Sequence, residues 1–203
     1  MREPRVAVLV SGGGTNLQAL IDAERAGKLR SGKLSLVISN KEGAYALERA
    51  RLAGIPTATV LRRNYPSGED FEDAIVSLLE DKEIDLIVLA GFMAILSARF
   101  TARYPERILN VHPSLIPSFC GKGYYGLRVH EAALAYGVKV TGATVHFVNE
   151  IPDGGKILLQ RAVKIREGDT PETLQRRVME EAEWKILPRA VELVCRSLKK
   201  KSI

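Results

Sequence analysis

Residues 5–16 read Arg-Val-Ala-Val-Leu-Val-Ser-Gly-Gly-Gly-Thr-Asn, an apolar run that passes directly into a glycine-rich turn. The apolar run is typical of a central parallel strand, which is buried on both faces. Leu17, Leu20 and Ile21 then fall at helical spacing, and Gly27 offers a stop. A strand, a glycine-rich turn and a helix together present backbone N–H groups to an anion. The stretch therefore predicts the first unit of an α/β fold and a phosphate site in its turn.

This turn matches neither of two common nucleotide-binding motifs. A dinucleotide-binding turn would carry a glycine where Leu17 stands. A Walker loop would end in Gly-Lys-Ser or Gly-Lys-Thr, and no lysine follows the glycines here. A flexible connection would not need consecutive glycines, so phosphate binding is the favoured interpretation.

Strand-like and helix-like stretches alternate after this first unit. Apolar, β-prone runs lie at 33–39, 55–60, 85–90 and 107–111, and helical patterns lie between them at 44–53, 71–81 and 97–104. This rhythm predicts an α/β fold with a doubly wound, mostly parallel sheet. A long loop at 117–126 and a helix at 129–136 follow, and the runs 140–150 and 156–165 predict an antiparallel hairpin. A terminal helix with a kink at Pro188 is expected after the N-cap Thr170.

The composition is that of an ordinary globular protein, with 203 residues, 46% hydrophobic and 27% charged. A net charge of +6 favours anionic ligands, but no long basic stripe indicates nucleic acid. Cys120 and Cys195 are far apart, and the three histidines form no metal-binding pattern. We therefore expect no metal, no nucleic-acid partner and no membrane partner. With no signal peptide or transmembrane run, a cytoplasmic location is the default expectation.

The segment Asn110-Val111-His112-Pro113 ends the strand predicted at 107–111. Asn110 and His112 are i and i+2 in an extended segment, so both can face one cavity at the strand's carboxyl end. An Asn N–H suits a developing oxyanion, a His moves protons, and a carboxylate such as Asp153 sets the pKa of that His. The alternative is structural: a turn-capping Asn, a backbone-bonded His and a turn Asp.

Five segments, taken together and in order, resemble one known family. They are Val-Leu-Val-Ser-Gly-Gly-Gly-Thr-Asn-Leu-Gln-Ala at 8–19, Ile-Ser-Asn-Lys at 38–41, Leu-Ala-Gly-Phe-Met at 89–93, Ile-Leu-Asn-Val-His-Pro-Ser-Leu-Ile-Pro at 108–117 and Thr-Gly-Ala-Thr-Val-His-Phe-Val at 141–148. The chain resembles the phosphoribosylglycinamide formyltransferase family, the folate-dependent enzymes of purine synthesis. The resemblance covers essentially the whole chain.

The resemblance implies transfer of a formyl group from the co-substrate 10-formyltetrahydrofolate to the amine of glycinamide ribonucleotide, the third step of de novo purine synthesis. Transfer would be direct, with the oxyanion stabilised by Asn110 and protonated His112, and with Asp153 raising the His112 pKa. Other family positions match as follows: Gly13, Gly14, Thr15 and Asn16 for the ribonucleotide phosphate, Glu183 for the ribose, and Met93, Ala94, Ile95, Leu96, Asn110, Val148, Asn149 and Glu150 for the folate.

We expect a single domain at 1–203, with a ribonucleotide-binding half at 1–105 and a catalytic, folate-binding half at 106–203. The partners would be small molecules, and the protein a monomer or weak homodimer. His146 is interpreted as a strand residue rather than a second base, because it alternates with its neighbours along the strand.

Some features depart from the family pattern or leave alternatives open. Ala94 and Gly68 stand where many relatives carry a basic residue, so the anchoring of the folate tail stays open. The loop 121–128 is either a lid or a stable elaboration. Methionyl-tRNA formyltransferase and formyltetrahydrofolate hydrolase use a similar Asn, His and Asp set, but we expect the extra domain of each to be missing. A non-catalytic nucleotide-binding module is the alternative from another class.

Overall fold

The computed structural model describes residues 2–201, in which seven strands form one sheet in the order β3-β2-β1-β4-β5-β6-β7. The strands are β1 Arg5–Val10, β2 Lys33–Ser39, β3 Thr57–Thr59, β4 Leu86–Leu89, β5 Ile108–His112, β6 Val140–Phe147 and β7 Ile157–Lys164. The pairs among β1 to β5 are parallel, whereas β5, β6 and β7 pair antiparallel. The predicted doubly wound sheet with a C-terminal antiparallel hairpin and a terminal helix is confirmed.

Helices cover both faces of the sheet. They are α1 Thr15–Arg25, α2 Tyr45–Leu52, α3 Gly68–Asp81, α4 Ala98–Arg103, α5 Leu127–Tyr136, α6 Pro171–Val178 and α7 Trp184–Lys201, with a 3-10 turn at Arg62–Asn64 and a π-helical turn at Met179–Glu183. Alternate residues of β1 enter two hydrophobic clusters: Val6, Val8 and Val10 face the helices α1, α2, α6 and α7, while Ala7 and Leu9 face α3 and α4. Successive side chains of a strand point to opposite faces of the sheet, and β1 is buried on both faces, which explains this division.

The order of the strands reverses between β1 and β4. In an open α/β sheet, ligands bind outside the carboxyl ends of the strands at such a point. The segments that follow β1, β4 and β5 therefore meet at one edge of the sheet.

The structure differs from the predicted elements in two places that matter for this edge. The run 140–150 forms a strand only to Phe147, although the N–H of Val148 still donates to the carbonyl of Ile108 in β5. The terminal helix is interrupted by the π-helical turn, which lies ahead of Pro188. Thr170 caps α6, as predicted.

None of the helices between residues 2 and 201 combines the length and apolar character needed to cross a lipid bilayer.

Candidate active site

A cleft of about 780 Å³ lies at the carboxyl ends of β1, β4 and β5. The residues around it come from the segments predicted to carry chemistry: the glycine-rich turn 12–16, the segment 90–95 after β4, the segment 110–113 at the end of β5, the loop 121–126, and Pro152, Asp153 and Glu183. Most of the candidate residues therefore lie around a cleft at the point where the strand order reverses.

The glycine-rich turn packs closely against the start of α2. Gly14 has φ of 73°, and a Cβ at this position would lie 2.6 Å from Ala46 Cβ. The Ala46 N–H donates to the carbonyl of Gly12, and Arg49 Nε donates to the carbonyl of Gly13. Only glycine satisfies both the backbone conformation and the close contact at position 14. The turn is thereby held in place, while Gly12 and Gly13 have open space above them.

Glu183 and Asn16 form a buried hydrogen bond next to this turn. Asn16 Nδ2 donates to Glu183 Oε2 at 2.6 Å, and Glu183 is only 4% exposed. Burial raises the pKa of Glu183 to about 7, although the Asn16 hydrogen bond acts in the opposite direction. The π-helical turn ends at Glu183 and places this carboxyl group in the lining of the cleft. The residues predicted for the ribonucleotide therefore lie together.

Asn110, His112 and Asp153 converge in the cleft. Asn110 Nδ2 donates to Asp153 Oδ1 at 3.3 Å, and His112 Nδ1 lies 3.5 Å from Asp153 Oδ2. Asn110 and His112 project from the same side of β5, as their i, i+2 spacing predicts. The carboxylate comes from the turn beyond β6, so the antiparallel pairing of β5 with β6 brings the three residues together.

The turn that carries Asp153 has a constrained backbone. Asp153 has φ of 56°, a conformation that few residues other than glycine adopt. At Gly155 a Cβ would lie 1.7 Å from the carbonyl oxygen of Phe147, so no larger residue fits. The Gly121 N–H donates to Asp153 Oδ2 at 2.8 Å. The carboxylate is therefore held from two sides, by its own turn and by the loop 117–126.

Burial and charge act in opposite directions on His112. Burial lowers the pKa of His112, whereas the Asp153 charge and the Phe119 carbonyl raise it, and the net pKa lies below the ordinary value. The Asp153 charge acts in the predicted direction, and desolvation, which the sequence gave no means to judge, is the larger effect. His112 Nε2 donates to the Phe119 carbonyl at 2.9 Å, since a carbonyl oxygen can only accept.

The pKa of Asp153 is lowered. Burial raises it, but the hydrogen bond with His146, the charge of His112 and the Gly121 N–H together outweigh burial. Asp153 therefore carries its negative charge at neutral pH.

His146 belongs to the same cluster, which sequence reasoning missed. It lies opposite Asn110 in the β5–β6 pairing and is 1% exposed. Its Nε2 lies 3.2 Å from Asn110 Nδ2 and 3.5 Å from Asp153 Oδ1. His146 Nδ1 donates to the Phe147 carbonyl at 2.9 Å, since a carbonyl oxygen can only accept, and Nε2 faces both Asn110 and Asp153. Alternation correctly predicted that His146 is a strand residue, but only the pairing register shows what its side chain contacts.

His130 is a second histidine that the sequence gave no reason to choose. It lies on α5, is fully buried, and lines the cleft. Neither ring nitrogen has a hydrogen-bond partner within the described part of the chain. Burial, with a smaller contribution from His112, lowers the pKa of His130 to about 4. The ring is therefore neutral at physiological pH.

The residues predicted for the folate are only partly brought together. Met93, Ala94 and Ile95 line the cleft, whereas Leu96 is buried in the core. The segment 148–150 is not among the residues around the cleft; Val148 packs against the core, and Asn149 Oδ1 accepts from the N–H of Ile151. The predicted role of Val148, Asn149 and Glu150 therefore stays a prediction. Within residues 2–201, no group of three His, Cys, Asp or Glu side chains could hold a metal ion.

Comparisons with known proteins bear on this cleft. A family model described as formyl transferase matches residues 4–191. The phosphoribosylglycinamide formyltransferase of Haemophilus influenzae is 45% identical over 188 residues, which cover 93% of this chain and 85% of the relative. The chain belongs to the phosphoribosylglycinamide formyltransferase family.

Solved structures agree with this family membership. Glycinamide ribonucleotide transformylase 1 from Symbiobacterium toebii superposes on 96% of this formyltransferase-family chain with a TM-score of 0.90 and 44% sequence identity, and 89% of that structure is covered. The human trifunctional purine biosynthetic protein adenosine-3 is 48% identical over 193 residues. This chain spans only 18% of the length of that trifunctional protein, although the matched region covers 95% of the chain.

Proposed function

We propose that this chain transfers the formyl group of 10-formyltetrahydrofolate to the amine of glycinamide ribonucleotide, giving the formylated ribonucleotide and tetrahydrofolate. The observation that carries the proposal is the convergence of Asn110, His112 and Asp153 in the same cleft as the glycine-rich turn. The names of the relatives support it, because they describe phosphoribosylglycinamide formyltransferases.

The ribonucleotide would bind at the end of the cleft formed by residues 13–16 and Glu183. The backbone N–H groups of a glycine-rich turn at a helix N-terminus suit a phosphate. The Glu183 carboxyl group is a hydrogen-bond acceptor for ribose hydroxyls, and Asn16 holds it in place. Both groups are present before any ligand binds.

The formyl donor would bind along the segment 92–97, whose residues fit a flat and partly apolar molecule. The side chains of Met93 and Ile95 are 50% and 81% exposed. The backbone groups of residues 94–96 have no hydrogen-bond partner within residues 2–201, so they can bond to a pterin edge. The donor supplies an activated formyl group on nitrogen.

In the proposed reaction, a bond forms between the amine nitrogen and the formyl carbon, and the bond from this carbon to the folate nitrogen breaks. One proton must then move from the attacking amine to the departing nitrogen. His112 would carry this proton, and Asp153 would stabilise its charged form. No covalent acyl-enzyme is needed.

Asn110 would donate to the oxygen at which negative charge develops. Asn110 Nδ2 faces His146 Nε2 at 3.2 Å and donates to Asp153 Oδ1 at 3.3 Å. Asn110 would give up its bond to Asp153 when it turns to the substrate.

A spectrophotometric assay with 10-formyltetrahydrofolate, with and without glycinamide ribonucleotide, tests the proposal. We expect turnover that depends on the ribonucleotide, with formylated ribonucleotide among the products. Folate turnover that is independent of the ribonucleotide would indicate a hydrolase or another acceptor. Binding of the ribonucleotide without any turnover would favour a non-catalytic binding module.

A further inference from the structure

The segment 92–97 follows β4 but pairs with no other strand of the described sheet. Its side chains nevertheless alternate as in a strand: Phe92, Ala94 and Leu96 pack against the core, and Met93 and Ile95 are exposed. Strand-like alternation without a partner strand leaves the backbone without a ladder of hydrogen bonds. The conformation of this segment must therefore be fixed by contacts from elsewhere.

Ser11 holds the first end of the segment. The N–H of Met93 donates to Ser11 Oγ at 2.8 Å, and Ser11 Oγ donates to Asn40 Oδ1 at 2.6 Å. Ser11 is 5% exposed and directly precedes the glycine-rich turn. One buried hydroxyl thus links this turn, the end of β2 and the segment 92–97.

Glu72 holds the other end from α3. Its carboxylate accepts the N–H of Ser97 at 2.7 Å and also accepts from Ser97 Oγ. The same serine oxygen accepts the N–H of Phe100 and so caps α4. Glu72 lies on the buried face of α3, where an apolar residue is more usual, and it is only 5% exposed. Hydrogen bonds to a buried carboxylate are among the stronger ones in proteins.

Between these two ends, the backbone groups of residues 94–96 are left without partners in the described chain. The segment is therefore fixed at Met93 and at Ser97, while its middle can bond to a ligand. Such an arrangement removes conformational freedom before binding, which improves affinity.

We propose that Ser11 and Glu72 are positioning residues for the formyl donor and act through the segment 92–97. This inference rests on the proposed function for the identity of the donor. Ser11 has a second consequence: because it begins the glycine-rich turn, it fixes the distance between the two substrate sites. Transfer requires the reacting atoms to meet at close range, so this distance matters for the reaction.

Steady-state kinetics of Ser11→Ala and Glu72→Gln, with each substrate varied in turn, test the inference. We expect the KM for 10-formyltetrahydrofolate to rise roughly tenfold in Glu72→Gln and about fivefold in Ser11→Ala. The KM for the ribonucleotide should stay within about twofold in Glu72→Gln. Equal increases in both KM values of Glu72→Gln, or no increase of the folate KM in either variant, would overturn the inference.

Glu192→Gln is the matched control for Glu72→Gln. Glu192 also accepts the N–H and the Oγ of one serine, Ser31, at 2.9 and 2.7 Å, but this contact joins α7 to the loop that precedes β2. We expect Glu192→Gln to have the same KM for 10-formyltetrahydrofolate as the wild-type chain. An increase as large as that of Glu72→Gln would mean that general destabilisation, not positioning, causes the effect.

Two measurements do not depend on turnover. Hydrogen exchange of the peptide covering residues 92–97 should be faster in Ser11→Ala and Glu72→Gln than in the wild-type chain and Glu192→Gln. Calorimetric binding of 10-formyltetrahydrofolate should weaken in the same two variants. If wild-type chain binds the folate but shows no ribonucleotide-dependent turnover, the proposed function fails, while exchange and binding still decide the positioning role. Unchanged exchange and unchanged folate binding would overturn it.

Discussion

At the scale of single residues, the environment of His112 combines a neighbouring carboxylate with strong burial. The two ring nitrogens face acceptor oxygens of Phe119 and Asp153, an arrangement that suits a protonated ring. Burial nevertheless lowers the pKa of His112 below its ordinary value. A group balanced in this way changes its protonation readily when its surroundings change, as a proton carrier must.

Replacing His112 with Ala should lower kcat by about 10² to 10⁴-fold, the usual contribution of an acid or base group. Binding of glycinamide ribonucleotide, measured by calorimetry, should change little, because this ligand is assigned to the turn 13–16 and Glu183. Unchanged turnover would remove His112 from the mechanism.

Asp153→Asn should move the pH dependence of kcat. The charge of Asp153 raises the pKa of His112, so its removal lowers that pKa further. If protonated His112 is the acid, the fall of kcat with increasing pH should begin at a lower pH in the variant. A pH–rate profile identical to that of the wild-type chain would mean that Asp153 has a structural role only.

Glu183→Gln should affect stability and binding in opposite directions. Burial raises the pKa of Glu183 to about 7, so the folded chain holds this proton more tightly than the unfolded chain. The stabilisation is complete below pH of about 4.5 and is lost as the pH rises through about 7. At pH 8 the variant should have a free energy of unfolding larger by on the order of 2 kcal/mol, by denaturant titration. Its affinity for the ribonucleotide should fall, and a variant that is less stable at pH 8 would contradict the assignment.

At the scale of elements, the turn between β6 and β7 decides where Asp153 lies. Asp153 has a positive φ, and Gly155 lies against the Phe147 carbonyl. The Pro-Asp-Gly-Gly sequence therefore has a steric reason that does not depend on chemistry. A turn aspartate is usually structural, and here the fold uses one such aspartate to complete a polar cluster.

Gly155→Ala should destabilise this turn and displace Asp153. The added Cβ would lie 1.7 Å from the Phe147 carbonyl oxygen, so the end of β6 must shift. We expect a loss of roughly 2 to 4 kcal/mol in the free energy of unfolding, and a fall in kcat. Gly68→Ala is the control, because nothing lies within 4 Å of its Cβ position. Equal stability of the two variants would refute the steric argument.

The connection between β7 and α6 is closed by an ion pair between Asp169 and Arg177. Two guanidinium nitrogens of Arg177 donate to the Asp169 carboxylate at 2.5 Å. The side chain of Arg177 is 13% exposed and that of Asp169 is 4% exposed. The hydrogen bond from Arg177 is the main cause that holds the pKa of Asp169 well below its ordinary value. The pair therefore stabilises the chain above pH of about 4, and this contribution is lost as the pH falls further.

Asp169→Asn should cost about 2 to 3 kcal/mol of unfolding free energy at pH 7, because Arg177 is left without its carboxylate. The difference from the wild-type chain should shrink at strongly acidic pH, as measured by denaturant titration at several pH values. Asp73→Asn is the control: its ion pair with Arg99 is about half exposed, so solvent screens it and a much smaller loss is expected. A loss as small as that of the control would show that the Asp169 pair contributes little.

At the scale of the whole molecule, the order of the strands determines where the cleft lies. The reversal between β1 and β4 gathers the segments after β1, β4 and β5 at one edge. The two predicted halves, 1–105 and 106–203, both contribute to the cleft at this edge, and their separate roles stay a prediction. Ser11 and Glu72 are the contacts that connect the segment after β4 to the rest of the edge.

The sequence by itself determined the strands and helices, the parallel sheet, the glycine-rich turn and the position of Asn110 and His112 on one side of a strand. These features are local: they follow from periodicity, from glycine and proline positions and from the i, i+2 geometry of one strand. Only the tertiary structure decided that His146 joins Asp153, that Glu183 is buried against Asn16, and that Glu72 bonds to Ser97. It also decided the net pKa direction of His112. These contacts and this pKa depend on the register between distant strands and on burial. Neither can be predicted from a short stretch of sequence.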